Sequence, residues 1–173
     1  MDIISHGLWG SISFGRKNRR SFWISFLFGI LPDFLAFAPL TLAMVLGLSN
    51  HEWQFGEPPD PNGLPAYIFQ VYNVSHSLVI FALIFITLWF IFRRPIWEFS
   101  AWGLHILFDI PTHSANFFPT PFLWPVSNLE VSGISWGDPI IFVPNVLLLA
   151  TLYFWFFFWR RRANKKSTTP PLT

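Results

Sequence analysis

The chain contains no cysteine, and only 12% of its 173 residues are charged. The missing thiols exclude disulfide bonds, thiolate zinc sites and cysteine nucleophiles, so any bound metal must take nitrogen and oxygen ligands. The charged fraction is about half of that in ordinary soluble domains. Apolar residues make up 53% of the chain, which includes 22 Phe and 10 Trp. This composition predicts a small polytopic membrane protein. The basic residues are not interleaved with aromatic ones, which argues against nucleic acid as a partner.

The basic residues are grouped in three places, which are residues 16–20, 93–94 and 160–166. Four membrane crossings would put all three groups on one side, and an excess of Lys and Arg is typical of the cytoplasmic side. The loops at residues 49–73 and 114–137 would then lie on the opposite side. The first loop is rich in proline and has no Lys or Arg, and the second is rich in aromatic residues, as is common at a membrane interface.

The apolar segments predict an all-α fold, with one membrane-embedded domain at residues 1–159 and a basic polar tail at residues 160–173 that we expect to be disordered. Residues 2–14 are too few to cross a hydrocarbon core of about 30 Å and are expected to form a partly inserted helical segment. Pro32 and Pro39 predict a kinked or broken first span. The four predicted spans are residues 21–48, 74–92, 96–110 and 139–159.

Six ionisable side chains lie within or beside these apolar segments. Each would cost roughly 3 kcal/mol in hydrocarbon, so several in one small protein indicate a shared partner that offsets the cost, and a metal ion is the simplest such partner. With a helical rise of about 1.5 Å per residue, five of the six fall in one layer, roughly 15 to 25 Å above the cytoplasmic face. The six candidate metal ligands are His6, Asp33, His76, His105, Asp109 and His113.

His105 and Asp109 form the most specific local pattern among these residues. Their i,i+4 spacing puts both side chains on one helix face, where they can hold one ion or bridge two. Pro111 ends the same segment, so that His113 can turn back towards the site. Imidazole and carboxylate ligands favour one or two zinc ions, with manganese and iron as alternatives. Such a site activates water for hydrolysis, because the metal lowers the pKa of the water towards about 7.

Several of these residues also have a purely structural explanation. A single intramembrane His more often forms a packing hydrogen bond than a metal bond. Asp33, which follows Pro32 at the predicted break, can cap a half-helix. His51 lies in a polar loop and is expected to be solvated, whereas Asp138 before Pro139 has the pattern of a helix N-cap.

Residues 133–137 match the motif G-x-S-x-G, which would make Ser135 the nucleophile of a serine hydrolase if it lay on a strand-turn-helix elbow. The surrounding sequence predicts no α/β sheet, and five-letter matches arise by accident, so this hypothesis ranks well below the metal site.

Two further functions stay open at the level of sequence. A proton- or ion-coupled transporter would use the same His and Asp residues as a relay around a broken helix, and a structural or partner-binding membrane protein would use neither metal nor relay. The small size of the chain and its lack of inverted repeats weigh against the transporter.

The polar and apolar motifs follow a fixed order: Ser5-His6-Gly7, Leu31-Pro32-Asp33, Ser75-His76-Ser77-Leu78, His105-Ile106-Leu107-Phe108-Asp109, Thr112-His113 and Phe122-Leu123-Trp124-Pro125. Over residues 1–125 this order resembles the inner-membrane-associated metal-dependent hydrolases, the group that includes a LexA-binding membrane protein. Each motif is short, and the order is the stronger evidence. The resemblance implies a multi-pass protein of the bacterial inner membrane whose basic loops and C-terminal tail are cytoplasmic.

The order of candidate ligands is also similar to that of the bacterial zinc phospholipases C and the zinc-dependent single-strand nucleases. The chain departs from their pattern, because it lacks an N-terminal Trp and has no His-x-x-x-Glu/Asp after His113. The similarity therefore extends to a third metal only if Glu130 or Asp138 substitutes. The residues that it implies are Asp33, His76, His105 and Asp109 for the principal site, and His6 with Asp109 beside a second ion.

Together, the residues and the resemblance predict a membrane-bound zinc-dependent hydrolase that cleaves a phosphoester with metal-activated water. The depth of the candidate ligands places the site in the outer half of the bilayer, open away from the cytoplasm. A lipid or amphiphile is the expected substrate, because the site lies between acyl and headgroup depth. Membrane lipid is the expected partner, and no residue is assigned as general base.

Overall fold

The computed structural model describes residues 1–48, 64–116 and 118–167, with side chains described as far as residue 158. Most of the predicted loop at residues 49–73, including His51, lies outside the described residues. The described residues form six α-helices and one 3₁₀ turn, with no strand among them, which confirms the predicted all-α class. The elements are α1 (Ile3–Phe14), α2 (Arg19–Val45), α3 (Ala66–Ser75), α4 (Leu78–Phe92), the 3₁₀ turn (Trp97–Phe99), α5 (Ser100–Thr112) and α6 (Pro139–Ser167).

The described helices provide two or three candidate membrane spans. Helix α2 and the Pro139–Phe158 part of α6 are long and apolar enough to cross alone. Helices α3 and α4 qualify only as a pair, and they are bent by 57° at the break between them. The prediction of four spans is therefore not confirmed. The predicted third span is the 13-residue helix α5, which at about 20 Å is shorter than a hydrocarbon core of about 30 Å.

Three helices reach only part of the way across such a core. Helices α1, α4 and α5 have 12, 15 and 13 residues, which gives lengths of about 18 to 23 Å. His6 lies in the first turn of α1, His76 lies just before α4, and Asp109 lies in the last turn of α5. These three candidate ligands thus lie near helix ends, which leave backbone groups free to orient side chains, whereas Asp33 and His105 lie within α2 and α5.

Helices α1 and α2 form a tight antiparallel hairpin. Asp2 caps α1 by accepting a hydrogen bond from the Ser5 amide, and Asn18 caps α2 in the same way. Small residues line the contact between the two helices, since a Cβ atom added at Gly29 would lie 2.6 Å from the carbonyl oxygen of His6. This close approach brings the backbone of α2 directly beside the first candidate ligand.

The break between α3 and α4 overturns two expectations. Residues 74–92 do not form one continuous helix, and residues 66–73 of the predicted loop are helical as part of α3. The side chain of Ser77 starts α4 by accepting a hydrogen bond from the Ile80 amide at 3.1 Å, and it donates one to the carbonyl oxygen of Trp124. Because an N-cap residue has an extended backbone, the cap at Ser77 prevents α3 from continuing into α4.

Helix α2 is one continuous helix of 27 residues although Pro32 and Pro39 lie inside it. The predicted break does not occur, since proline is tolerated in apolar helices whose neighbours satisfy the freed backbone groups. Asp33 is therefore an interior residue of α2, and the interpretation of it as a cap is wrong. The tail was also expected to be disordered, but α6 continues to Ser167 through Arg, Ala and Lys, which favour helix. Residues 168–173 lie outside the described residues.

Candidate metal centre

Four side chains converge on one point inside the protein, from α2, from the α3–α4 break and from α5. One nitrogen or carboxylate oxygen of each lies within 4.8 Å of the others. Asp33 is 15% exposed at its side chain, and the other three are fully buried. The structure thus brings together the predicted principal group, which is Asp33, His76, His105 and Asp109.

The distances within this group have the spacing of ligands around one ion. The Nε2 atom of His105 lies 3.1 Å from His76 Nε2, 3.0 Å from Asp109 Oδ2 and 3.7 Å from Asp33 Oδ1. The Nε2 atom of His76 lies 3.3 Å from Asp33 Oδ1 and 3.5 Å from Asp109 Oδ2. Tetrahedral ligands at zinc bond lengths of 2.0 to 2.1 Å are about 3.3 Å apart. The five separations of 3.0 to 3.7 Å are close to this value and support a tetrahedral ion at the centre of the group.

The other ring nitrogen of each histidine faces a backbone carbonyl. His105 Nδ1 donates to the Gly29 carbonyl oxygen at 2.7 Å, and His76 Nδ1 lies 3.2 Å from the Tyr72 carbonyl oxygen and 2.9 Å from Ser75 Oγ. Because a carbonyl oxygen only accepts, these partners assign the proton of each neutral ring to Nδ1. The Nε2 atoms then present lone pairs, as they do in zinc sites where a second group fixes the tautomer.

This assignment creates an electrostatic problem that a cation would solve. Two Nε2 lone pairs and two carboxylates face one another in a largely buried space, where like charges and uncompensated lone pairs are costly. The α-amino group of Met1, 2.5 Å from Asp109 Oδ1, offsets part of this charge from one side. A divalent cation at the centre would offset the charge that remains and accept all four lone pairs. The chemistry of the donor set, with nitrogen and oxygen only, is that expected for zinc, and manganese and iron share it in part.

Asp109 turns its second oxygen towards another group of side chains. Its Oδ1 atom lies 2.9 Å from His6 Nε2 and 3.5 Å from His113 Nε2. The α-amino group of Met1 also lies 2.5 Å from this oxygen. The predicted pair of His6 and Asp109 therefore lies beside the principal group, with one carboxylate shared between them as in two-metal sites.

Several buried polar atoms of the centre lack a hydrogen bond of good geometry to the described residues. They are both ring nitrogens of His6 and Oδ2 of Asp109, although each residue has a partner within about 3 Å. Close approach without hydrogen-bond geometry is expected when both atoms aim at a common ion. Unpaired buried groups are otherwise rare, because each costs about 1 to 3 kcal/mol.

The electrostatics of the second group favour neutral imidazoles. Burial lowers the pKa of His6 to about 3, although the Asp109 carboxylate opposes the shift. Burial also lowers the pKa of His113, again against Asp109. Both residues lie outside the candidate spans, in α1 and at the end of α5. A neutral imidazole is the form that binds metal.

The structure also locates the residues that gave rise to the rival hypotheses. Asp138 caps α6, accepting a hydrogen bond from the Ile140 amide at 2.9 Å, as predicted. Glu130 is exposed, as is Asp138. Ser135 lies in a turn before α6. The described residues contain no strand, so Ser135 does not lie on the strand-turn-helix elbow of a serine hydrolase. Gly133 is explained by packing, since a Cβ atom there would lie 2.1 Å from the Pro111 carbonyl oxygen.

The sequence analysis did not identify Tyr72 and Asn145, which pack around the centre and hold its helices in place. The Tyr72 hydroxyl donates to the Phe118 carbonyl oxygen and lies 2.9 Å from His113 Nδ1, while its ring stacks on His76 at 3.8 Å between centroids. Asn145 is a buried amide in the apolar helix α6. The sequence did contain a signal for Asn145, because a lone amide in a membrane helix is costly unless it is paired.

Asn145 joins α6 to the first turns of α1. Its Nδ2 atom donates to Ser5 Oγ at 2.8 Å, and its Oδ1 atom accepts from Trp9 Nε1 at 2.8 Å. Replacing Asn145 with leucine leaves Trp9 Nε1 without its acceptor, while Ser5 Oγ keeps only its hydrogen bond to Asp2. The change should lower the free energy of unfolding by about 1 to 2 kcal/mol. SDS-induced unfolding in mixed micelles measures the change. The control Leu148→Ala, at an exposed position of the same helix, should change stability by less than about 0.5 kcal/mol.

Comparison of the chain with family models, with curated proteins and with solved structures finds no match. The family resemblance therefore rests on the sequence motifs alone. The fold and the site define the class of protein more coarsely. It is a helical protein with two or three candidate membrane spans and a buried His/Asp group that can hold a metal ion.

Proposed function

We propose that this protein is a membrane-embedded, zinc-dependent hydrolase that cleaves a phosphoester with water. The observation that carries the proposal is the meeting of two imidazole lone pairs with the carboxylates of Asp33 and Asp109 at the spacing of ligands around one ion. Ionisable groups at such depth beside candidate membrane spans are costly and indicate a function by default.

The candidate ligands have different roles in the proposed reaction. The principal group binds the cation, and Asp109 fixes its position relative to His6 and His113 through the shared carboxylate. When bound, zinc would supply a Lewis acid that activates water and stabilises the charge developing on the phosphoryl oxygens. In the reaction the oxygen of water joins phosphorus, the bond from phosphorus to the leaving oxygen breaks, and that oxygen takes up a proton.

The proposed substrate is a lipid or amphiphile presented from within the bilayer. Asp33 lies 14 residues after Arg19 along α2, which places it about 21 Å from the basic end of a core of about 30 Å. In the proposed orientation the basic ends of the helices face the cytoplasm of a bacterial cell, and the centre opens towards the outer half of the bilayer.

Metal content and hydrolysis test the proposal on the same preparation. Purified wild-type protein should hold about one or two zinc ions per chain and hydrolyse bis(p-nitrophenyl) phosphate, lose this activity on dialysis against a chelator, and regain it with zinc. His105→Ala should hold less than about half of the wild-type zinc, because it removes one of four ligands. The control His51→Ala replaces the one histidine outside the described residues and should match wild type. Equal, near-zero zinc in all three proteins would remove the proposal.

One observation favours a transporter as the second candidate. The α3–α4 pair is a broken span with His76 at its break, and broken helices line ion sites in many transporters. A transporter would move protons or ions across vesicles without bound zinc and without phosphoester hydrolysis. Proton uptake into vesicles that survives chelation, with no hydrolysis in the zinc-loaded protein, would favour it.

A further inference from the structure

A cavity of about 1010 Å³ opens beside the candidate metal centre. Met1, Asp2, Asp33 and His113 contribute to its lining, and the C-terminal half of α2 forms its long wall as far as Val45. Its volume lies at the upper end of the range for small-molecule sites, which is about 300 to 1,000 Å³. The cavity thus joins the polar centre to the apolar surface of a candidate membrane span.

The lining of the cavity changes from polar to apolar along α2. Beyond Asp33 the wall consists of side chains such as Phe34, Leu42 and Val45, which share a face by their spacing of eight and three residues. These three are 54%, 59% and 79% exposed in the structure. Phe118 contributes to the lining from the loop that follows α5. A polar end with a long apolar wall is the lining that an amphiphile requires.

The length of the wall is sufficient for one alkyl chain of a lipid. Asp33 and Val45 are 12 residues apart on α2, which gives a wall of about 18 Å, and each leaflet of a hydrocarbon core is about 15 Å thick. Counted from Arg19, Asp33 lies about 21 Å and Val45 about 39 Å along α2. A chain bound along this wall would therefore run opposite to the lipids of the outer leaflet, so the cavity and not the leaflet must orient it.

The least buried ligand indicates which end of an amphiphile faces the centre. Asp33, at 15%, is the only one of the four principal residues whose side chain is partly exposed, and it is the one that lines the cavity. Because Asp2 and Asp33 both contribute carboxylates to the lining, a phosphate group would meet the centre through the cavity only when a cation is bound there. Its alkyl chain would then extend towards Leu42.

We infer that the cavity is the binding site for the alkyl chain of the substrate, with its phosphoester head at Asp33 and His113. The inference rests on the proposed function and deepens it, because it selects long-chain phosphate esters over soluble ones. It also fixes a direction, with the head at residue 33 and the chain end near residues 42–45.

Photolabelling tests the direction and the site together. Two dodecyl phosphate probes, one with a diazirine next to the phosphate and one with a diazirine at the chain end, are added to the protein in phosphatidylcholine vesicles. The head probe should label residues near Asp33 and His113, and the chain-end probe should label residues 41–45. Unlabelled dodecyl phosphate should compete with both probes, and butyl phosphate should not.

Matched variants separate a site from ordinary lipid contact. Leu42→Trp places a larger side chain at the chain-end part of the cavity and should reduce chain-end labelling of α2 about ten-fold. Leu147→Trp changes a residue of similar exposure on α6, 61% against 59%, and should leave the labelling unchanged. Identical labelling by the two probes, or labelling spread evenly over α2 and α6, would overturn the inference.

The same preparation distinguishes failure of this inference from failure of the proposed function. Zinc content and chelator-sensitive hydrolysis of bis(p-nitrophenyl) phosphate test the centre and do not require the alkyl chain. Zinc-dependent hydrolysis with uniform labelling would overturn the chain site alone. Directional labelling in a protein without zinc or hydrolysis would support the chain site and overturn the hydrolase.

Discussion

Replacing Asp109 with asparagine should remove bound zinc and abolish hydrolysis, because both groups of candidate ligands share this carboxylate. Its Oδ2 atom lies 3.0 Å from His105 Nε2, and its Oδ1 atom lies 2.9 Å from His6 Nε2. Asparagine keeps the shape but replaces one oxygen with an NH₂ donor and removes the negative charge. Zinc should fall from about one or two ions per chain to near zero. The kcat/KM for a phosphodiester should fall about a thousand-fold, which corresponds to about 4 kcal/mol of transition-state stabilisation.

The chain offers a matched control for this substitution. Asp138 is exposed and caps α6 with its carboxylate. Asparagine caps helices as well as aspartate does, so Asp138→Asn should keep wild-type zinc, activity and stability. Elemental analysis and the phosphodiester assay are read together with helix content by circular dichroism. Wild-type zinc in a folded Asp109→Asn protein would contradict the metal centre.

A second change at the same position separates a metal centre from a proton relay. Asp109→Glu keeps a titratable carboxylate but moves it outward by one methylene group. A relay tolerates this change, whereas a metal centre needs its ligands within about 0.5 Å of their positions. We expect Asp109→Glu to lose most of its zinc, and retained proton transport with lost zinc would favour the transporter.

The parts of the centre that are local in sequence could be predicted from it. His105 and Asp109 share a helix face by spacing alone, and the structure places their Nε2 and Oδ2 atoms 3.0 Å apart. The depth of His76 and Asp33 above the cytoplasmic face was predicted by counting residues from the basic clusters, since helices have a fixed rise per residue. The structure brings these two within 3.3 Å of each other. Periodicity and charge thus predicted that these residues lie in one layer, and the resemblance to the zinc phospholipases C and nucleases implied which four form the principal group.

The architecture around the centre could not be predicted in the same way. The largely apolar segment from residue 74 to 92 has the composition of one span, yet Ser77 caps a new helix inside it. Composition does not distinguish a whole span from two half-helices that meet at a buried group. The short Ser-x-Ser sequence around His76 was the available signal, because serine favours caps over helix interiors.

The tertiary supports of the centre have no signature in a single sequence. The Gly29 carbonyl that orients His105 is a backbone group 76 residues away. Tyr72 contacts both His76 and His113, and its position depends on the packing of α3 against the loop after α5. Such contacts depend on how helices pack, and helix packing follows from shape complementarity rather than from local pattern.

Gly29→Ala should disrupt the fold and the centre together. A Cβ atom at this position would lie 2.6 Å from the His6 carbonyl oxygen and 3.1 Å from the Gly7 Cα atom. Both are backbone atoms that cannot rotate away, so α1 and α2 must separate. The Gly29 carbonyl also accepts the hydrogen bond from His105 Nδ1, and its displacement would turn that ring. We expect the free energy of unfolding to fall by about 2 to 3 kcal/mol and the zinc content to fall by more than half.

Gly137→Ala makes the same chemical change where there is room for it, since the nearest atom to an added Cβ is Ser135 Oγ at 3.9 Å. It should leave SDS-induced unfolding and zinc content at wild-type values. Gly29→Ser should be at least as damaging as Gly29→Ala, because it has the same Cβ atom. If Gly29→Ala unfolded like wild type and kept its zinc, α1 would not need to lie against α2 at this depth. His6 would then have no reason to share the Asp109 carboxylate, and the centre would consist of the principal group alone.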